Sequence, residues 1–181
     1  MTADGDSSIP TFRSPNPESS DPRKMMSEHK IKKACLDLIA SCPDVVLTTI
    51  GADGFPQARV MFNLRGPRYS ELQEYLRPFD GTFRYYLDTN TSSSKIRDVR
   101  SRPQASLFFC RPEIFFSLML AGDLTVDEDP VLRRELWRPG WETYYPAGPE
   151  DPDYTVLRFD SRYGRGWNGS VNYFFDLSGK R

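Results

Sequence analysis

Residues 45–62, V-V-L-T-T-I-G-A-D-G-F-P-Q-A-R-V-M-F, decide the fold. The run over 45–50 is rich in β-branched side chains, and Gly51-Ala52-Asp53-Gly54 supplies the glycines a tight hairpin needs before a second run over 57–64. The two runs therefore pair as antiparallel strands. Alternation within the second puts Arg59 and Met61 on one face and Val60 and Phe62 on the other. Arg59 then points where a neighbouring strand or a ligand must satisfy it. An ordinary ion pair is the other reading of that side chain.

Downstream, residues 85–109 read Y-Y-L-D-T-N-T-S-S-S-K-I-R-D-V-R-S-R-P-Q-A-S-L-F-F. A strand over 83–88 leads into a hydroxyl cluster, then a lysine, a short amphipathic helix over 93–101 stopped by Arg102-Pro103, and a strand over 105–110. This is the layout of an anion site. Thr89 to Ser94 offer hydroxyls, an amide and helix N-terminal N–H groups, and Lys95 adds a full charge to the partial one of the helix dipole. Simple capping by Ser92 or Ser93, with a solvated Lys95, explains the same residues equally well.

Further out, residues 1–24 are rich in Ser, Pro and Asp and poor in large apolar side chains, so they form a disordered or arm-like tail. Residues 25–181 make up the domain. Ile31, Ala34, Cys35, Leu38 and Ile39 recur at helical spacing over 28–40. The stretch 65–80 reads as a loop with a helical turn over 70–76. The run 114–126 is a long apolar strand in which Gly122 marks a bulge or bend, and long curved strands close barrels. Asp127-Glu128-Asp129-Pro130 opens a helix containing Leu132, Leu136 and Trp137. A turn over 141–145, a loop to residue 152, a strand over 154–159 and a strand pair at 162–167 and 171–176 complete a mainly β (α+β) chain.

Composition narrows the function. The 181 residues suit one domain with a real core, and 24 Lys+Arg against 25 Asp+Glu leave no overall field to attract nucleic acid or an anionic membrane. Any anion site is local. No stretch is apolar enough to span a bilayer, and the N-terminus lacks the basic and then hydrophobic run of a secretory signal, so a cytoplasmic protein is expected. The three cysteines, Cys35, Cys42 and Cys110, lack metal-ligand spacing and read as buried or half-buried thiols. With His29 the only histidine, catalysis through a Ser-His-Asp or Cys-His set is excluded for this chain alone, and no metal site is expected.

Residues 45–62 and 85–109, followed by L-W-R-P-G-W-E-T-Y-Y-P-A-G-P-E-D-P-D-Y-T-V-L-R-F over 136–159, resemble in order and spacing the pyridoxamine 5′-phosphate oxidase-like superfamily of FMN-binding split barrels, in particular its general-stress-protein-like branch. The resemblance spans residues 28–175. It implies a six- to seven-stranded antiparallel split β-barrel with peripheral helices, and FMN as cofactor. On that reading Arg59 and Lys95 are the phosphate cations and Ser94 a phosphate donor. Val60, Met61 and Phe62 line the ring, with Asp88, Thr89 and Asn90 near the ring and ribityl chain. Family members of this type are usually homodimers with two sites at the interface, which sets Gln104 and Ser106 against the partner's cofactor. Gln104 is equally well an edge polar residue. Trp141, with Trp137, Tyr144 and Tyr145, either covers the open face of the flavin or plugs a hydrophobic loop.

The departures also inform. True pyridoxamine-phosphate oxidases bind substrate phosphate through a basic and aromatic C-terminal motif, whereas this chain ends V-N-Y-F-F-D-L-S-G-K-R, and Ser94 stands where those enzymes place a basic residue. Vitamin B6 oxidation is not expected. The resemblance implies a flavin-dependent oxidoreductase of an unspecified small molecule, in which the cofactor carries the chemistry and no catalytic side chain is needed. The alternatives are a non-enzymatic flavin or deazaflavin binding, storage or stress-related protein, or a dimer whose cleft serves no ligand.

Overall fold

The structure, a computed structural model, describes residues 27–179. The expected tail, residues 1–24, lies outside the described residues. Helix α1 (Glu28–Ser41) begins where the Ser27 hydroxyl accepts from the Lys30 amide, and it buries Ile31, Cys35, Leu38 and Ile39. Strands β1 (Asp44–Ile50) and β2 (Pro56–Phe62) form the expected hairpin, with Val46 opposite Val60 and Leu47 opposite Arg59. After the short helix α2 (Gln73–Leu76) come β3 (Tyr85–Asn90), α3 (Ser94–Ser101), β4 (Gln104–Arg111) and β5 (Phe116–Asp127). Helix α4 (Pro130–Leu136), β6 (Tyr154–Asn168) and β7 (Val171–Asp176) follow.

All seven strands belong to one antiparallel sheet in the order β2-β1-β4-β5-β6-β3, with β7 added beside β6. The sheet curls until its edge strands β2 and β3 approach one another, the split barrel anticipated from the sequence. Bending is concentrated where the β5–β6 register slips between Ala121 and Gly122. A Cβ on Gly122 would collide with the Asp160 carbonyl, so only glycine admits that approach.

The register separates an inner and an outer face. Leu47, Leu107 and Leu120 are directly opposed across β1, β4 and β5, and the row continues through Gly164 to Phe175. These side chains, with those of α1, form the main core, where each buried leucine contributes about 1.5–3 kcal/mol. One residue along lies the outer row: Val60, Val46, Phe108, Met119, Arg165 and Phe174, each opposite the next. No helix covers this row among the described residues; Val60 is 69% and Phe174 57% exposed.

Three sequence expectations need correcting. The strand expected over 154–159 and the one expected over 162–167 are a single continuous β6, because Asp160-Ser161 bonds laterally through the Ser161 hydroxyl to the Phe83 carbonyl instead of turning. The strand expected over 83–88 begins at Tyr85, since Phe83 takes φ 51° and ends the preceding helical turn. Residues 67–82 are not mainly loop: three consecutive helical turns are pinned from within by Arg65, which pairs with Asp80 and donates to the carbonyls of Leu76 and Arg84 at 3.0 and 3.1 Å. Their apolar side chains join Leu132, Leu136, Trp141, Tyr145 and Tyr154 in a second core. Cys35 and Cys42 are buried as expected, while Cys110 is exposed on the outer face. Among the described residues no helix is long and apolar enough to cross a membrane.

Candidate functional site

The seam between the two edge strands opens into a cleft of about 270 Å³. β2 supplies Val60, Met61 and Phe62, and β3 supplies Asp88, Thr89 and Asn90. Lys95 enters from the first turn of α3, Asp44 from β1, and Tyr144 and Tyr145 from the segment before β6. Seven positions singled out from the sequence thus meet in one hollow, although β2 lies well before β3 and α3 in the chain. The lining is mixed: apolar side chains of β2, two tyrosine rings, and the charged groups Asp44, Asp88 and Lys95.

Arg59 lies behind that wall. Its Nη1 donates to the Thr49 hydroxyl at 2.7 Å and its Nη2 lies 3.7 Å from the Asp98 carboxylate on α3, which also accepts from Thr49 at 3.1 Å. Asp98 is 5% exposed. The ion-pair reading of Arg59 is therefore realised, and it fixes α3 beneath the β1–β2 hairpin. Burial lowers the Arg59 pKa, with Asp98 acting in the opposite sense.

Lys95 is half-buried and has no carboxylate within ion-pair distance among the described residues. Burial and then the like charge of Arg59 lower its pKa, while Asp88 partly offsets them. The two cations are thus close enough to repel, a local positive field in a chain with no net excess of base. Asp88 is pushed up to about 6 by burial, which outweighs a hydrogen bond from its own amide and the attraction of Lys95. Burial also raises Tyr145, and Asp88 adds to that shift.

Most of the hydroxyl cluster is engaged elsewhere. The Ser92 amide and hydroxyl donate to Asp153 at 2.7 and 3.2 Å, the Asn90 amide donates to the same carboxylate at 2.8 Å, and Thr91 donates to the Pro152 carbonyl at 2.9 Å. These bonds clip the β3–α3 turn to the start of β6. They also lower the Asp153 pKa, the Asn90 bond most. Ser93 is the N-cap of α3, yet its hydroxyl makes no capping bond. Ser94 falls in a separate surface hollow of about 450 Å³ along the outer side of α3, with Arg97 and Arg100. Asp153 already takes the turn's strongest donors, so this larger hollow is the poorer place for an anion.

The remaining expected site residues lie outside the cleft. Gln104 and Ser106 are on β4, Ser106 opposite Thr48 and Ala121. Trp141 is 5% exposed, its ring packed edge-on against Tyr69, Trp137 and Tyr154 in the second core. Tyr144 and Tyr145 face the cleft in its place. Asp44, which the sequence did not single out, follows the buried Cys42 and an exposed proline, a context without any signal of a site.

No curated protein sequence matches the chain. Among solved structures it is similar to a protein of Clostridium acetobutylicum related to general stress protein 26 and placed in the pyridoxinephosphate oxidase family, with 28% identity and a TM-score of 0.69 over 84% of this chain and 99% of the other. The general stress protein 26 of Bacillus anthracis shares the fold at 19% identity and a TM-score of 0.61, covering 81% and 98% of the two chains. A general stress FMN/FAD binding protein of Xanthomonas citri does so at 20% identity and 0.61, covering 80% and 93%. The family model for pyridoxamine 5′-phosphate oxidase matches residues 31–168, from α1 to the end of β6 and so through every strand that walls the cleft. The curled sheet, the seam cleft and this match together make the chain a member of the pyridoxamine 5′-phosphate oxidase family.

Proposed function

We propose that the seam cleft binds the phosphorylated flavin FMN and that the protein is a flavin-dependent oxidoreductase of a small molecule. The observation that carries this reading is Lys95: an ammonium turned into a partly apolar cleft, unpaired, with Arg59 close behind it. A half-buried cation with no carboxylate in ion-pair contact is costly to the folded protein and is relieved by an anionic ligand. The side chains and backbone of residues 60–62 suit the edge of an isoalloxazine, and the Tyr144 and Tyr145 rings suit its face. The residues present fit the group. Bound flavin supplies hydride and electron transfer, and the chain's part is to hold the phosphate, position the ring and exclude water. The FMN/FAD binding description of the Xanthomonas citri relative agrees with this proposal.

The proposed assembly is a homodimer through the outer sheet face. Its outer row, apolar apart from Arg165, begins at Val60, a cleft residue, so a partner seated there would border the cleft.

The test is titration of flavin-free protein with FMN, followed by quenching of flavin fluorescence. Binding with a micromolar or tighter dissociation constant is expected, weakened at least tenfold by Lys95→Ala. Absence of binding overturns the proposal. Stopped-flow mixing of the complex with NADH and NADPH then separates an oxidoreductase from a storage protein: a flavin that neither nucleotide reduces favours storage.

A further inference from the structure

Asp88 is the one carboxylate at the base of the cleft that is neither ion-paired nor bonded to a side-chain donor among the described residues. The other acids near this site are engaged: Asp98 by Arg59 and Thr49, Asp44 by Arg68 at the rim, and Asp153 by Asn90 and Ser92. Asp88 shares the cleft with Lys95, close enough for each to shift the other's titration. The charged and titratable groups around it are Lys95 on α3, Arg59 beyond it on β2, Asp44 on β1, Tyr145 in the segment before β6, Tyr154 on β6 and Tyr69 in the helical turns over 67–82. An acid placed beside the cation that would receive a phosphate works against that phosphate when ionised.

We propose that Asp88 is a specificity-determining residue of the cleft, which takes up a proton when a phosphorylated ligand binds and opposes such ligands when it is ionised. The inference rests on the flavin reading above. Protonated, the carboxyl is neutral and can donate a hydrogen bond to a phosphate oxygen; ionised, it repels the phosphate and draws Lys95 toward itself. Burial pushes the acid up to about 6, and an approaching anion raises that value further. Between the free and the bound value, each rise in pH therefore weakens the phosphorylated ligand. A ligand without phosphate escapes this effect.

The experiment measures dissociation constants of FMN and riboflavin for the full chain and for Asp88→Asn at pH 5.5 and pH 8. The phosphate's own ionisation is common to both proteins and cancels in their ratio. Asp88→Asn is expected to bind FMN about tenfold more tightly than the parent at pH 8, the change that one unit of pKa displacement produces. The two proteins should agree within about twofold at pH 5.5, and for riboflavin at both pH values. Asp88→Ser, which removes the charge with less bulk, must move in the same direction. Equal FMN affinities at pH 8 overturn the proposal. So does weaker binding of both ligands by the variants, which would make Asp88 an acceptor for the ring or ribityl chain. Failure of every protein to bind either ligand at both pH values overturns the flavin reading and this inference with it.

Discussion

The Arg59 guanidinium and the Asp98 carboxylate meet 3.7 Å apart beneath the sheet, and the Thr49 hydroxyl bridges them, accepting from the first and donating to the second. This contact ties the β1–β2 hairpin to α3, the two elements that carry the proposed ring wall and phosphate cation. Asp98→Ala leaves a largely buried guanidinium uncompensated and should cost about 3 kcal/mol of stability in urea denaturation. The double change Arg59→Met with Asp98→Leu should recover much of that loss while abolishing flavin binding. A loss under 1 kcal/mol for Asp98→Ala would mean that the pair does not hold the hairpin to the helix.

The aromatic segment before β6 divides into two roles. Trp141 is enclosed in the second core, so Trp141→Ala should destabilise the fold by about 3–5 kcal/mol. Tyr144 is 61% exposed at the cleft, so Tyr144→Ala should leave the melting temperature within about 2 °C, as small surface changes do, while weakening FMN several-fold. Thermal melts and flavin titrations on the two variants check the division, and the reverse pattern would refute it.

The sequence made the hairpin, the Gly122 bulge, α1 and α3 legible because each rests on local signals: β-branched alternation, glycine, or helical apolar spacing. Its errors fell where distant residues decide. Asp160-Ser161 looks like a break between strands until Phe83 offers its carbonyl to Ser161. The stretch 65–80 reads as loop around one helical turn because its partners for Arg65, the residue that organises it, are set only by the fold. The hydroxyls of residues 91–92 read equally as anion ligands or as turn and cap groups, and Asp153 and Pro152, brought alongside only by the fold, take their bonds. Trp141 and Tyr144 are indistinguishable by type and spacing, and only the second core separates them.

Asp88 also couples stability to pH. Its folded value, near 6, lies above the ordinary aspartate value of 3.8, so folding favours the protonated form. The stabilisation is fully present below pH 4 and is lost as pH rises through 6. In flavin-free protein Asp88→Asn should remove this component and be more stable than the parent at pH 7.5 by roughly 2 kcal/mol, from a displacement of about two units at 1.36 kcal/mol each, discounted for partial exposure. Urea midpoints at pH 4.5 and pH 7.5 measure it. A parent protein at least as stable as the variant at pH 7.5 would contradict the assignment.

The outer sheet face gives a test of assembly. Phe108 sits at the middle of the apolar row, between Val46 and Met119, and its side chain is half-exposed in the isolated chain. Phe108→Glu should leave the monomer fold intact and shift sedimentation velocity from a dimer to a monomer. An unchanged dimer would place the interface elsewhere.

The central claim is that a phosphate enters the seam cleft at Lys95 and Arg59, and a crystal structure of the protein with FMN tests it most directly. The phosphate should lie within ion-pair distance of Lys95 Nζ, with the Arg59 guanidinium on the same side and the ring against residues 60–62. A phosphate bound instead in the outer hollow by Arg97 and Arg100, with Lys95 left facing solvent, would contradict it.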